Sequence, residues 1–339
     1  MNARPGALAW HWPSLGASRC GAMTDRERLG LPDHYIVHEL HAEVERACKV
    51  LRREPVEALL ETLASLETTL SARIASGNLL ALAGDPRIVV ERPAMVDVAG
   101  GIADIGLDAC EVASVLDRFG ELGLERAWIE KECPRHRVEL LAYRIARFPV
   151  TNLEYRAFAI DTDHSELPSS WHFRRFPEER ANHPAYSVSA ASADAYARWL
   201  ARRTGRGFRL PSEAEWEHAA AGPNGCEFPW GAHFDPALAN TAETGLFSTS
   251  AVGAFAGGES AYGLCDMAGN VEEYVADEYT AYPGGVPVAD HLCRASGGYR
   301  VARGGSFARF RDLARTRRRH GHNPVSATYA MGFRLAESP

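Results

Sequence analysis

Beyond residue 88 this chain loses regular hydrophobic periodicity, and that loss limits its fold more than any other feature. Gly, Asn and Pro punctuate it every few residues, with short β-like runs such as Glu139–Ile145 and Phe208–Leu210 between them. Gly and Asn supply turn conformations, so the pattern reads as loops around short strands. Two stretches depart from it. ASADAYARWLARRT, residues 191–204, is amphipathic and runs into Gly205, a C-cap candidate. SEAEWEHAAA, residues 212–221, opens on Ser212 with Glu215 three positions on, a capping box. The class is therefore α+β and loop-rich. Loops on this scale need a further device to hold them, either bound metal or extensive packing.

The chain before residue 88 is different. Residues 1–32 are rich in Gly, Pro and Trp without a period, and read as an irregular arm. Val37, Leu40, Val44, Ala47 and Leu51 then repeat at helical spacing, and so do Leu59, Leu63, Leu66, Leu70 and Ile74. Pro55 suits the first turn of the second helix. The expectation is a helical hairpin within 1–88 and a second unit over 89–339, with Arg87–Val90 starting a strand. The hairpin seams face each other or form a homodimer contact.

The net charge of -7 argues against general nucleic-acid binding. The N-terminal stretch is a poor secretory signal, and no window reaches the ~18 apolar residues of a membrane span. The cytoplasm is the expected location. Seven cysteines (20, 48, 110, 133, 226, 265 and 293) form no CxxC, so reduced structural thiols are expected.

An ordered motif series carries more information. RFPVTNLEYRAF begins at Arg147, HPAYSVSAASADAYARWLARRTGRGFRLPSEAEWEHAAAG at His183, PWG at Pro229, YGLCDMAGNVEEYVAD at Tyr262, RGGS at Arg303, and GFRLA ends at Ala336. The series resembles the formylglycine-generating enzyme family, the sulfatase-modifying factors, over residues 90–336. The resemblance implies an irregular C-type-lectin-like fold. It also brings out two departures. Oxidase members carry two cysteines after RGGS that bind copper and attack the substrate thiol. Here that segment reads FARFRDLARTRRRHG, with no thiol, and Cys293 lies outside it. Without a thiolate there is no copper(I) ligand and no disulfide exchange. The standard oxidation of cysteine to formylglycine is therefore rejected. The usual GNVWEW also becomes GNVEEY, which introduces Glu272 and Tyr274.

The resemblance and the residues together nominate sites. The matched calcium (Ca2+) ligands are the carboxylates of Asp266 and Glu273 and the carbonyls of Gly269 and Val271; a Gly-Asn turn with solvated acids is the alternative. A second family calcium site would fall near Asn240, Thr241 and Leu246, but Thr244 stands where an aspartate is frequent. Arg309, Arg311, Arg315 and Arg317, with Arg318 and Arg319, outnumber the local acids. They read as a binding surface for an anionic small-molecule or peptide substrate, or as ion pairs to Glu213, Glu215 and Glu217. Glu272, His320 and His322 form a candidate acid–base set, although alternating histidines on an extended segment face opposite ways. His34, His38, His41 and Glu45 share one helix face. The sulfoxide synthases, which fuse a histidine-bearing helical domain to this family domain, suggest iron (Fe2+) there; a solvated polar face is the alternative. Arg209, Glu213, Glu215 and Trp216 of the RLPSEAEW motif are expected to hold the fold, and Cys265 to be a small buried side chain.

Two functions follow. One is a non-thiol, metal-dependent oxidative tailoring enzyme acting on an amino acid or peptide. The other is a non-catalytic binding module on the same fold.

Overall fold

A computed structural model describes residues 39–322 and 329–338. His34 and His38 lie outside the described residues. The first helices are α1 (Glu39–Leu51), α2 (Val56–Ala64) and α3 (Leu70–Ala83). The second expected helix is thus two. Hydroxyls break it: Thr68 Oγ1 donates to the carbonyls of Thr62 and Ser65, and Thr69 Oγ1 caps α3 by accepting from Ala72 N. Buried Arg73 seals the break by donating to the carbonyls of Thr68 and Ala254.

These helices do not stand apart. Leu59, Leu63, Ile74 and Leu80 share a core with Leu246, Ala254 and Phe255. Asn182 Nδ2 donates to the carbonyl of Gly77, and the buried ring of His183 meets Asn78 and Thr249. The expected strand at Arg87–Val90 is a turn, because Asp85 accepts from the Arg87 amide and guanidinium and curls the chain.

The rest is α+β as expected. Strands β1 (Met95–Val98), β2 (Gly101–Ile105), β3 (His136–Leu140) and β4 (Tyr143–Ala146) come early. The run over Glu139–Ile145 is therefore two strands separated by a kink. Helices α4 (Val112–Phe119), α5 (Arg126–Glu130), α6 (Asn152–Thr162), α7 (Ala190–Thr204) and α8 (Glu213–Ala221) interleave with β5 (Phe208–Arg209). Gly205 terminates α7 in the left-handed conformation, and Ser212 and Glu215 form the capping box of α8. The chain continues through β6 (Glu272–Glu278), α9 (His291–Ser296), β7 (Arg300–Arg303), β8 (His320–Gly321), β9 (Met331–Phe333) and β10 (Ala336–Glu337).

One sheet runs β1-β4-β10-β5 and another β8-β7-β6-β9, with β6 and β9 parallel. Tyr155, Tyr196, Trp199 and Phe333 centre the core between α6, α7 and the second sheet. The β6 register sets Glu272 opposite Met331 and Glu273 opposite Arg303. Glu272 thereby lies at the end of the sheet where β8 brings in His320.

Candidate functional site

RGGS turns the chain out of β7. Gly304 and Gly305 have φ of 91° and 67°, and a Cβ on Gly305 would lie 2.9 Å from the Leu313 carbonyl carbon. Only glycine fits this turn. The arginine-rich segment that follows is fixed by acids brought from far along the chain. Arg315 takes Glu132 with two bonds of 3.0 Å and Glu227 at 2.5 Å. Arg319 forks onto Glu213 at 2.7 Å, and Arg303 joins Glu213 to Glu217. Arg311 meets Glu121 and Glu243, Arg318 lies 3.8 Å from Asp312, and Arg317 donates to the Gly225 carbonyl at 2.6 Å.

This corrects the expectation that the arginines outnumber their acids. Glu213 and Glu217 are used as anticipated, whereas Glu215 pairs with Arg209. Arg315 is turned inward, with 1% of its side chain exposed, and acts as a strut. It is not placed to meet a substrate, because a buried guanidinium with two carboxylates has its donors satisfied. Among Arg309, Arg311, Arg315 and Arg317, only Arg309 belongs to the cluster at Glu272.

That cluster is compact. Nδ1 of His320 donates to Glu272 Oε2 at 2.5 Å, and Arg309 Nε donates to Oε1 at 3.3 Å. Both Glu272 and His320 are buried. Burial alone would raise the Glu272 carboxyl, but His320 and Arg309 outweigh it and hold the group at about 2. Burial pushes the His320 imidazole down to about 4, against the pull of Glu272. At neutral pH the pair is therefore a carboxylate and a neutral imidazole. Donation from Nδ1 leaves Nε2 as the ring's lone pair.

Tyr329 closes the cluster. The Arg309 guanidinium lies 4.3 Å from its ring centre, the His320 ring stacks on it at 5.7 Å, and His322 meets it edge-on at 5.6 Å. His320 and His322 therefore share one aromatic neighbour, although their alternation suggested opposite faces. The half-buried ring of Tyr186 packs on Phe307 at 5.5 Å, and Ser187 Oγ donates to the Tyr329 carbonyl. Tyr329 lies outside every quoted motif, and nothing in the motifs singles out Tyr186 or Phe307. Only the fold gathers them.

The expected calcium ligands are otherwise engaged. Arg334 holds both oxygens of Glu273 at 2.6 and 2.7 Å, and Trp216 Nε1 donates to one of them. Asp266 accepts from Gly253 N and Asn270 Nδ2, and burial raises its carboxyl to about 6. Gly269 and Asn240 form a backbone bridge, with Asn270 N donating to the Asn240 carbonyl. With a guanidinium already neutralising Glu273, this arrangement of Asp266, Gly269, Val271 and Glu273 does not fit a calcium ion.

Among the described residues no group of three His, Cys, Asp or Glu is placed to hold a metal, and of the three histidines nominated for iron only His41 is described. His41 Nε2 lies 3.1 Å from the Leu246 carbonyl, which requires a proton on that nitrogen, and Glu45 pairs with Lys49. The six described cysteines are unpaired. Cys265 is buried, and burial first raises its thiol to about 12, so it is no ready nucleophile. No described helix is long and apolar enough to cross a membrane.

A sequence profile of the sulfatase-modifying factor enzyme 1-like domain matches residues 83–339. The chain belongs to the sulfatase-modifying factor family. Its curated relatives include the hercynine oxygenase of Mycolicibacterium thermoresistibile, 32% identical over 245 residues, covering 61% of this chain and 53% of that one. The formylglycine-generating enzyme of Streptomyces coelicolor is 32% identical over 267 residues, covering 60% and 81%. The solved structure of PvdO from Pseudomonas aeruginosa aligns with a TM-score of 0.56 and 26% identity, covering 74% of this chain and 95% of that one. The chain thus spans about half the length of the first hercynine oxygenase. The family carries the motif series, and the buried cluster beneath RGGS in this member gathers Glu272, His320, Arg309 and Tyr329.

Proposed function

We propose that this family member is a non-thiol oxidative tailoring enzyme acting on an amino-acid-derived substrate with an anionic group. The carrying observation is the Glu272–His320 pair beside Arg309, which joins β6 to the segment where oxidase members bear their cysteines. Its likeness to the hercynine oxygenases supports an oxygen-dependent reaction on an amino acid.

The chain's own residues have separable tasks. Glu272 fixes the His320 tautomer and keeps Nε2 free to take a proton. Arg309, aligned on the Tyr329 face, presents its terminal nitrogens to a carboxylate. The aromatic rings of Tyr329, Tyr186 and Phe307 exclude water around the bound molecule. A redox metal bound with the substrate would supply the electron chemistry with dioxygen; of the histidines nominated for it, His34 and His38 lie outside the described residues.

The test is oxygen uptake by the purified chain with a panel of amino acids headed by hercynine. The expected result is uptake that depends on one panel member and falls about a hundredfold in His320→Gln, as for loss of a general base. Equal uptake by wild type and variant would reject the assignment.

A further inference from the structure

The helices ahead of the family domain reach toward the candidate site. The family match begins at residue 83, so α1, α2 and α3 up to Leu82 precede it. Yet α3 packs on the domain at backbone distance. A Cβ on Gly77 would lie 2.5 Å from Ala251 Cβ, so only glycine permits this approach. There Asn182 Nδ2 donates to the Gly77 carbonyl at 3.0 Å and to Asp85 Oδ2 at 2.8 Å.

The next residue of each segment makes a more specific contact. The buried ring of His183 has Nε2 3.2 Å from Asn78 Oδ1 and Nδ1 3.1 Å from Thr249 Oγ1. Burial, and then the charge of Arg180, pushes this imidazole down to about 3, so the ring is neutral. A neutral ring offers one donor and one acceptor, and an amide and a hydroxyl meet both. A buried polar ring is tolerated only when its nitrogens are paired. Here the pairing makes a three-way junction between α3, the His183 segment and the Thr249 segment.

Two short stretches of chain lead from the junction to the site. Three residues after His183, the Tyr186 ring packs on Phe307, and Ser187 Oγ donates to the Tyr329 carbonyl at 3.2 Å. Ser187 has φ of 59°, a left-handed conformation that persists in a non-glycine residue only where its surroundings enforce it. On the other side Thr249 precedes Ser250, whose amide donates to Asn270 Oδ1 at 3.0 Å and whose carbonyl accepts from Asn270 Nδ2 at 3.2 Å. Asn270 stands two residues before Glu272. His183 therefore ties α3 to the segment that holds Tyr329 and to the turn that leads into Glu272.

We propose that Asn78 is a positioning residue for the candidate site, acting through His183 on the placement of Tyr186 and Tyr329. The helical unit outside the family domain is then a working part of the site, with His183 as the element that both sides bias. The kinetic consequence rests on the reaction proposed above. The structural consequence at His320 does not.

The test uses the full chain with isotope-labelled histidine and two variants. Asn78→Leu keeps the side chain's shape and removes its amide; Asn78→Asp keeps an oxygen facing the ring. The His320 ring stacks on Tyr329 at 5.7 Å, so its NMR signal reports where Tyr329 sits. Asn78→Leu should shift the signals of both His183 and His320, and Asn78→Asp should return that of His320 to its wild-type position. With the amino acid that the enzyme consumes, Asn78→Leu should raise KM about tenfold and leave kcat within about twofold. In a Tyr186→Ala background it should add nothing to KM, because the residue through which it acts is gone. A lower Tm in Asn78→Leu with an unmoved His320 signal would overturn the proposal, since α3 would then contribute stability alone. So would KM effects of Asn78→Leu and Tyr186→Ala that simply add. If no amino acid of the panel is consumed, the proposed reaction fails by itself, and the His320 signal still decides whether Asn78 positions the site.

Discussion

His320 donates its Nδ1 proton to Glu272 across 2.5 Å, and both side chains are buried. A carboxylate that orients an imidazole in this way sets the ring's tautomer as well as its position. Arg309 completes the balance of charge, so the acid is stable without water.

Removing that acid should be costly. Glu272→Ala leaves the Arg309 guanidinium and a buried imidazole without their shared partner. The expected loss is about 3 kcal/mol of unfolding free energy, measured by urea denaturation at pH 7. A loss within about 0.5 kcal/mol would mean that the pair is solvated in solution.

The pH dependence of turnover follows from the same pair. His320 must be neutral to accept a proton, and burial places it at about 4. Thus kcat/KM should be flat near neutrality and fall as pH drops through about 4. Glu272 favours the charged ring, so Glu272→Gln should move this acid limb lower still. A limb moving upward would contradict the assignment.

Stability should carry a second pH signature. Burial raises Asp266 and Asp312 to about 6 from 3.8. Between those values the folded state binds more protons than the unfolded one, so their stabilising contribution is complete below 3.8 and is lost as pH rises through 6. Asp266→Asn should abolish its share, up to about 3 kcal/mol, seen as a smaller fall in unfolding free energy between pH 4 and 7. An unchanged slope would show that the Asp266 carboxyl is not raised in the folded state.

Much of this was legible in the residues, and the exceptions share a cause. The capping box at Ser212, the end of α7 at Gly205 and the motif series are local, so sequence alone carries them. The break at Thr68 was hidden because leucines kept their period across it while hydroxyls took the backbone's hydrogen bonds. The arginine partners were hidden because Glu121, Glu132, Glu227 and Glu243 lie far from the segment that they neutralise. Glu272, His320 and Arg309 were named beforehand as candidates; the ring of Tyr329 that joins them was not.

The engagement of Glu273 yields a further expectation. Arg334 occupies the place in which a cation would balance this acid. Chelation by EDTA should leave Tm unchanged within about 1 °C, whereas Arg334→Met should cost about 3–5 kcal/mol by leaving Glu273 buried and unpaired. Calcium-dependent stabilisation in thermal scans would reverse this reading.

The central claim is that chemistry here uses Glu272 and His320 and not a thiol. The most direct measurement compares oxygen incorporation from labelled dioxygen into hercynine and the amino-acid panel by two variants. One replaces all seven cysteines, Cys20, Cys48, Cys110, Cys133, Cys226, Cys265 and Cys293, by serine or, where buried, alanine; the other is His320→Gln. The account predicts labelled product from the cysteine-free protein at near wild-type rate and about a hundredfold less from His320→Gln. Loss of product in the cysteine-free protein, with His320→Gln unaffected, would contradict it.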